Sequence, residues 1–294
     1  MDRLVRNARG ANVDARHGLR RGRGAAMLRR DIRPQDDRTA AMPFALLRRL
    51  AICALAALVL APSPTRAEDA LVAVAANFAD VARFLAAEYG AKTGHRVTIT
   101  TGSTGKLYAQ IVVGAPYDAL LAADQASPEK LEAEGRAVPG SRFTYASGRL
   151  ALWSADPRLI DEDGAATLRA AAFRHIAIAN PDLAPYGLAA RQVLERLGLW
   201  DALADKLAMG QNIGQTHALI ATGAAELGFV AYSQVHTGVA GSVWLTPDDL
   251  HDPIRQDAVL LWHGAENPAA VGFLDYLNNG PARDYIRSLG YGTL

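Results

Sequence analysis

Residues 95–111 read HRVTITTGSTGKLYAQI, a stretch whose hydrophobic period changes in mid-course. Val97 and Ile99 alternate with polar residues as in a half-buried strand, and Leu107, Tyr108 and Ile111 then recur at helical spacing. A helix therefore begins near Ser103. Such a start leaves about four amide groups without intrahelical partners and carries partial positive charge. Gly102 and Gly105 let an anion approach that backbone closely, and the Ser103 hydroxyl adds a donor. The stretch predicts an oxyanion cradle, beside the plainer role of Ser103 as a helix cap.

Two sharper motifs fail on spacing. A phosphate-binding P-loop needs G-x-x-x-x-G-K followed by Ser or Thr, whereas Gly102 and Gly105 lie too close and Leu107 follows Lys106. The nucleophile elbow G-x-S-x-G needs a glycine where Thr101 stands.

The same junction recurs along the chain. LVAVA at residues 71–75 is a buried strand running into Ala76-Asn77-Phe78, after which Phe78, Val81, Phe84 and Leu85 share a helical stripe that ends near Gly90 to Gly94. A third strand spans residues 118–123, and Ser127-Pro128 opens a helix with proline in its first turn. YASGRLALW, residues 145–153, reads as one strand containing a glycine, and a crossing into a second lobe is placed there. HIAIANP and KLAMGQN are further strands, each followed by a turn and a helix, with Tyr186 at one helix entrance and Ile213 at the other. LGFVAY and SVWL add strands, a second crossing falls near Thr246-Pro247, and QDAVLLW with helices from Pro268 and Pro281 completes the chain. Repeated strand-helix units predict an α/β fold of mostly parallel sheets flanked by helices, with ligand at the carboxyl ends of the strands. The expected lobes are residues 68–147 with 247–294, and residues 148–246.

The first 67 residues differ in kind. Residues 1–41 hold 11 arginines without apolar periodicity. Met42 opens a second beginning, with Arg48 and Arg49 ahead of the apolar run LAICALAALVLA and the small-residue site Thr65-Arg66-Ala67. Residues 42–67 thus read as a secretory signal peptide cleaved after Ala67, and residues 1–41 as an upstream extension of the reading frame or a disordered tail. The one cysteine, Cys53, sits inside the apolar run, so a chain starting at Glu68 has no disulfide, thiolate metal site or cysteine nucleophile. That chain carries 17 basic and 25 acidic residues, a net charge of −8, which argues against nucleic-acid binding through phosphate neutralisation.

Together AVAANF, TGSTGKLYAQI, GAPYDALLAAD, YASGRLALW, NPDLAPYGLAA, NIGQTHALIATGAAELGFVAYSQ and QDAVLL resemble, in order and spacing over residues 70–294, the molybdate-binding proteins of bacterial ABC transporters. That family has the two-lobed type II periplasmic binding-protein fold. The resemblance implies a periplasmic receptor, not an enzyme, that holds molybdate or tungstate in the interlobe cleft by neutral hydrogen-bond donors. It implies an inner-membrane permease as partner, a monomeric state and no cofactor beyond the ligand. Position by position, it assigns amide and side-chain donors to Ala76 and Asn77, hydroxyl and amide to Ser103, the amide to Ile213 and a phenol to Tyr186. Tyr232 is the alternative phenol if the LGFVAY register shifts by one residue. Molybdenum would be bound only within the oxyanion.

Competing functions are a receptor for sulfate or another small anion, and a secreted hydrolase using Ser103. His95, His175, His217, His236, His251 and His263 are scattered singly, without metal-ligand pairing. Lys106 is expected to face solvent rather than the anion.

Overall fold

The computed structural model describes residues 67–292. The arginine-rich extension and the signal-peptide segment lie outside the described residues, Ala67 excepted.

The first lobe begins with β1 (Asp69–Ala75), α1 (Ala79–Thr93), β2 (Arg96–Gly102), α2 (Thr104–Val112), β3 (Ala119–Leu121), α3 (Ala126–Ala133) and β4 (Phe143–Gly148). The second contains β5 (Leu150–Ser154), α4 (Gly164–Ala170), β6 (Ile176–Ala179), α5 (Pro185–Arg196), β7 (Leu207–Gly210), α6 (Ile213–Ala221), β8 (Leu227–Ala231) and β9 (Ser242–Leu245). The chain then returns to the first through β10 (Ile254–Leu260), α7 (Pro268–Leu277) and α8 (Gly280–Ser288). Among the described residues no helix is long and apolar enough to cross a membrane.

Each lobe has a five-stranded sheet, in the orders β2-β1-β3-β10-β4 and β7-β6-β8-β5-β9. In the first, β1 is parallel to β2 and β3, with Val72 beside Ile99 and Ala119, and β10 runs antiparallel to β3 and β4. In the second, β6 is parallel to β7 and β8, and β5 opposes β8 and β9. The sheets are therefore mixed, each with one reversed strand. The reason is where the chain crosses: β4 and β9 end at the cleft, so β5 and β10 start there and must run away from it.

YASGRLALW is accordingly two strands in two sheets, separated at Arg149, rather than one. Gly148 closes β4, and any Cβ at that position would collide with the Tyr186 hydroxyl and the Gln256 side chain. The α1 stripe also differs from expectation. Val81, Leu85 and Tyr89 face the core with Phe78, whereas Phe84 is 46% exposed and its ring stacks on Tyr285 at 4.4 Å. Val81, Leu85 and Tyr89 repeat every four residues and define the inward line, leaving Phe84 on the flank. Gly94, with φ of 78°, ends the helix and donates its N–H to the Gly90 carbonyl.

Separate apolar cores support the lobes. Phe78, Tyr145 and Phe273 anchor the first, and Leu152, Ile178 and Phe229 the second.

Candidate functional site

Four helical starts face one another across the cleft. The 3-10 turn Ala76–Phe78 follows β1, α2 follows β2, α5 follows β6 after a short turn, and α6 follows β7. Each stands at the carboxyl end of a strand, where open α/β sheets place their ligands. Ala76, Asn77, Ser103, Tyr186 and Ile213 line one cavity there, so the residues expected from the sequence are brought together from both lobes. Its volume is about 10 Å³, close to that of one water-sized sphere. No lining residue carries a formal charge.

The polar groups of this cavity are incompletely paired. Ser103 is 3% exposed, makes no side-chain capping bond at the start of α2, and leaves Oγ without a partner. Asn77 donates from Nδ2 to Gln256 Oε1 at 2.8 Å, and its Oδ1 is unpartnered. A buried polar atom without a partner costs about 1–3 kcal/mol, and the Ser103 hydroxyl is a donor that an oxyanion can satisfy, whereas Asn77 Oδ1 is an acceptor that needs a donor. The Asn77 carbonyl accepts a hydrogen bond of 3.0 Å from Tyr291, which pins this turn to the end of the chain.

Tyr186 enters from the first turn of α5 and is 2% exposed. Burial pushes its phenol well above the usual tyrosine range, so it stays protonated and able to donate. Its oxygen accepts from Gln256 Nε2 at 3.1 Å. Asn212 caps α6 by accepting from the Gln215 amide at 3.0 Å. The Ile213 amide, at the first position of that helix, has no carbonyl one turn earlier to bond.

Several supporting residues were not anticipated. Gln256 and Tyr145 tie the donors together, Thr104 accepts from the Ala123 amide at 3.0 Å to hold α2 against the end of β3, and Asn212 caps α6. The available signal for Gln256 was a polar pair, Gln256-Asp257, directly before the apolar run AVLLW.

Tyr232 does not line the cavity; its ring lies 5.0 Å from the Arg149 guanidinium and 4.8 Å from the His236 ring. No histidine lines the cavity either, and among the described residues no three His, Cys, Asp or Glu side chains are grouped to hold a metal. A larger groove of about 370 Å³ between α1 and β2 contains no unpartnered buried polar atom, so size alone does not make it the site.

The lobes touch beside the cavity through the Gly105 amide, 2.9 Å from the Leu183 carbonyl, and through Lys106. The Lys106 ammonium is exposed but not idle, since it donates to Gln211 Oε1 at 2.7 Å across the cleft. A single exposed polar bond contributes little. Lys106→Ala is expected to change oxyanion affinity by about threefold or less in calorimetry, and a tenfold loss would place the lysine charge in the site.

Two α/β lobes closing on a small, uncharged, donor-lined cavity define a binding protein for a compact solute. A family model described as bacterial extracellular solute-binding protein matches residues 70–292. The molybdate-binding protein ModA of Azotobacter vinelandii is 50% identical over 254 residues, covering 85% of this chain and 99% of that protein. ModA of Rhodobacter capsulatus is 46% identical over 260 residues, covering 88% and 98%. The solved structure of an Azotobacter vinelandii periplasmic molybdate-binding protein superposes with a TM-score of 0.74 at 44% identity, covering 76% of this chain and 99% of that one. The chain belongs to the bacterial extracellular solute-binding proteins and, within them, to the ModA family.

Proposed function

We propose that this chain is the periplasmic receptor of a molybdate ABC transporter, capturing the oxyanion between its lobes and delivering it to an inner-membrane permease. The observation that carries this is the convergence of four helical starts from two lobes on one uncharged cavity containing the unpartnered Ser103 hydroxyl. Relatives of 50% and 46% identity named as molybdate-binding proteins support the cargo. The protein binds rather than turns over: Ser103 Oγ has no base bonded to it.

Ala76, Asn77, Ser103, Tyr186 and Ile213 are the proposed ligands of molybdate and tungstate, with no further cofactor and one anion per monomer. Hydrogen bonds to a charged group contribute roughly 1.5–3 kcal/mol each, so five of them can outweigh desolvation and closure while still permitting release. Sulfate is fully ionised, and its discrimination falls to size, since a smaller tetrahedron does not span opposing donors.

Calorimetric titration with molybdate, tungstate, sulfate and phosphate at neutral pH tests the cargo. Tight one-to-one binding of the first two alone is expected; tight sulfate binding would change the cargo, and no binding of any anion would remove the receptor function. Tyr186→Phe keeps the ring but deletes a donor and is expected to weaken molybdate about tenfold without loss of fold. Unchanged affinity would take the phenol out of the site.

A further inference from the structure

We propose that Gly105 is an interlobe latch that sets how long the anion is retained, because its amide and its missing side chain let the two lobes meet backbone to backbone beside the cavity. This role rests on the oxyanion-receptor function proposed above and assigns to it a residue that does not touch the ligand. The Gly105 N–H, in the first turn of α2 of the first lobe, donates to the Leu183 carbonyl of the second at 2.9 Å. The polarity of this bond has no alternative, since a backbone N–H only donates and a carbonyl only accepts.

Other reasons for a glycine at this position fail. Its φ is not positive, so the backbone conformation is open to any residue. Helix stability disfavours it, because alanine is the better helix former. Close approach of the anion to its amide does not require it either, since that amide is spent on Leu183. What remains is space between the lobes. A Cβ on Gly105 would lie 3.1 Å from the Leu183 oxygen and 3.3 Å from its Cα, inside ordinary van der Waals contact and against backbone rather than a side chain that can turn away. The Leu183 side is stiff: the Asn180 carbonyl accepts from the Leu183 and Ala184 amides at 3.1 and 2.9 Å, and Asn180 Oδ1 accepts from the Asp182 amide at 2.9 Å. A side chain on Gly105 is therefore relieved by moving the lobes apart.

The latch joins the two turns that carry proposed ligands. Gly105 follows Ser103 by two residues, and Leu183 precedes Tyr186 by three. An anion held by both cannot leave until those turns separate, so the latch opens with its release. A side chain that props the lobes apart lowers the share of molecules in the binding-competent arrangement, and the affinity falls in proportion. The neighbouring Lys106–Gln211 bond does not replace the latch, because it is exposed and contributes little.

The test compares the unaltered protein with Gly105→Ala and Gly105→Val. Gly280→Ala is the control, adding the same methyl at the start of α8, where a Cβ meets nothing within 4 Å. Calorimetry gives the molybdate affinity, release of radiolabelled molybdate into excess unlabelled molybdate gives the dissociation rate, and melting without ligand verifies the fold. Gly105→Ala is expected to bind about tenfold more weakly and Gly105→Val about a hundredfold, with faster release accounting for the loss. The unliganded midpoint of Gly105→Ala should hold or rise by about 1–4 °C, since alanine suits the helix better. Gly280→Ala should leave affinity and release as they are.

Unchanged affinity and release in Gly105→Val would overturn the proposal. So would a loss carried by slower association at an unchanged release rate, which would put Gly105 in the path of the entering anion. A loss accompanied by a lower unliganded midpoint in Gly105→Ala would mean damage to α2 itself and would overturn it as well. Failure of the unaltered protein to bind molybdate would remove the receptor function and this role with it, whereas normal binding by the unaltered protein and both Gly105 variants removes only the latch.

Discussion

Ser103→Ala is expected to make the unliganded protein more stable and its oxyanion complex weaker. Removing a serine at a helix start ordinarily costs about 1 kcal/mol, because the hydroxyl caps a free amide. Here the side chain makes no capping bond, is 3% exposed, and holds its oxygen among groups that do not bond it. Deleting such an oxygen relieves a desolvation penalty of about 1–3 kcal/mol, and for a domain of this size each kcal/mol corresponds to roughly 2–4 °C in melting temperature. The same deletion removes a charge-assisted bond from the complex and should weaken molybdate by about 10- to 100-fold. Melts with and without saturating molybdate check both signs. The unliganded midpoint should rise while the ligand-induced increment shrinks. A fall in the unliganded midpoint, or an unchanged increment, would show that the hydroxyl is a structural cap and not a binding group.

Ile213→Pro isolates a backbone donor. Proline lacks an N–H but is well suited to the first position of a helix, which Ile213 occupies in α6. It also restricts the preceding residue to extended backbone, and Asn212 already has φ of −158° and ψ of 172°. The helix should therefore persist. Ile213 is 3% exposed and packs in the core of the second lobe, so some stability is lost with the side chain. Ile213→Ala serves as the control, losing more packing while keeping the amide. Molybdate affinity is expected to fall about 30- to 100-fold in Ile213→Pro and about threefold or less in Ile213→Ala. Equal losses in the two variants would assign the effect to packing and remove the amide from the ligand set.

The difference between these residues and Gln256 shows what could be seen before folding. Ser103 and Ile213 each sit where a strand period gives way to a helical one, and that change is written within about ten consecutive residues. Tyr186 is legible in the same way, from the turn NPDLAPYG ahead of an apolar-periodic helix. Its preference over Tyr232 followed from the family resemblance. The structure puts Tyr186 in the cavity lining, while Tyr232, in the 3-10 turn beyond β8, lies against Arg149 and His236. Gln256 gave no comparable local sign, because its partner Asn77 is 179 residues away in the chain. Phe84 failed for a related reason: its fit to a stripe was local, but its exposure depended on where Tyr285 of α8 lies.

By itself the sequence determined most of the order of strands and helices, though not the helix Gly164–Ala170 or the division of YASGRLALW, together with the four junctions and the lack of cysteine chemistry beyond residue 67. These follow from short-range forces: periodic burial, capping and the conformational freedom of glycine act over one or two turns of chain. Only the tertiary structure decided which junctions share a cavity, that YASGRLALW divides between two sheets, and that Lys106 reaches Gln211. It also decided which buried polar atoms remain unpartnered. Hydrogen-bond satisfaction inside a protein depends on groups brought together from distant parts of the chain, and the cleft brings together turns from both lobes that no local pattern connects.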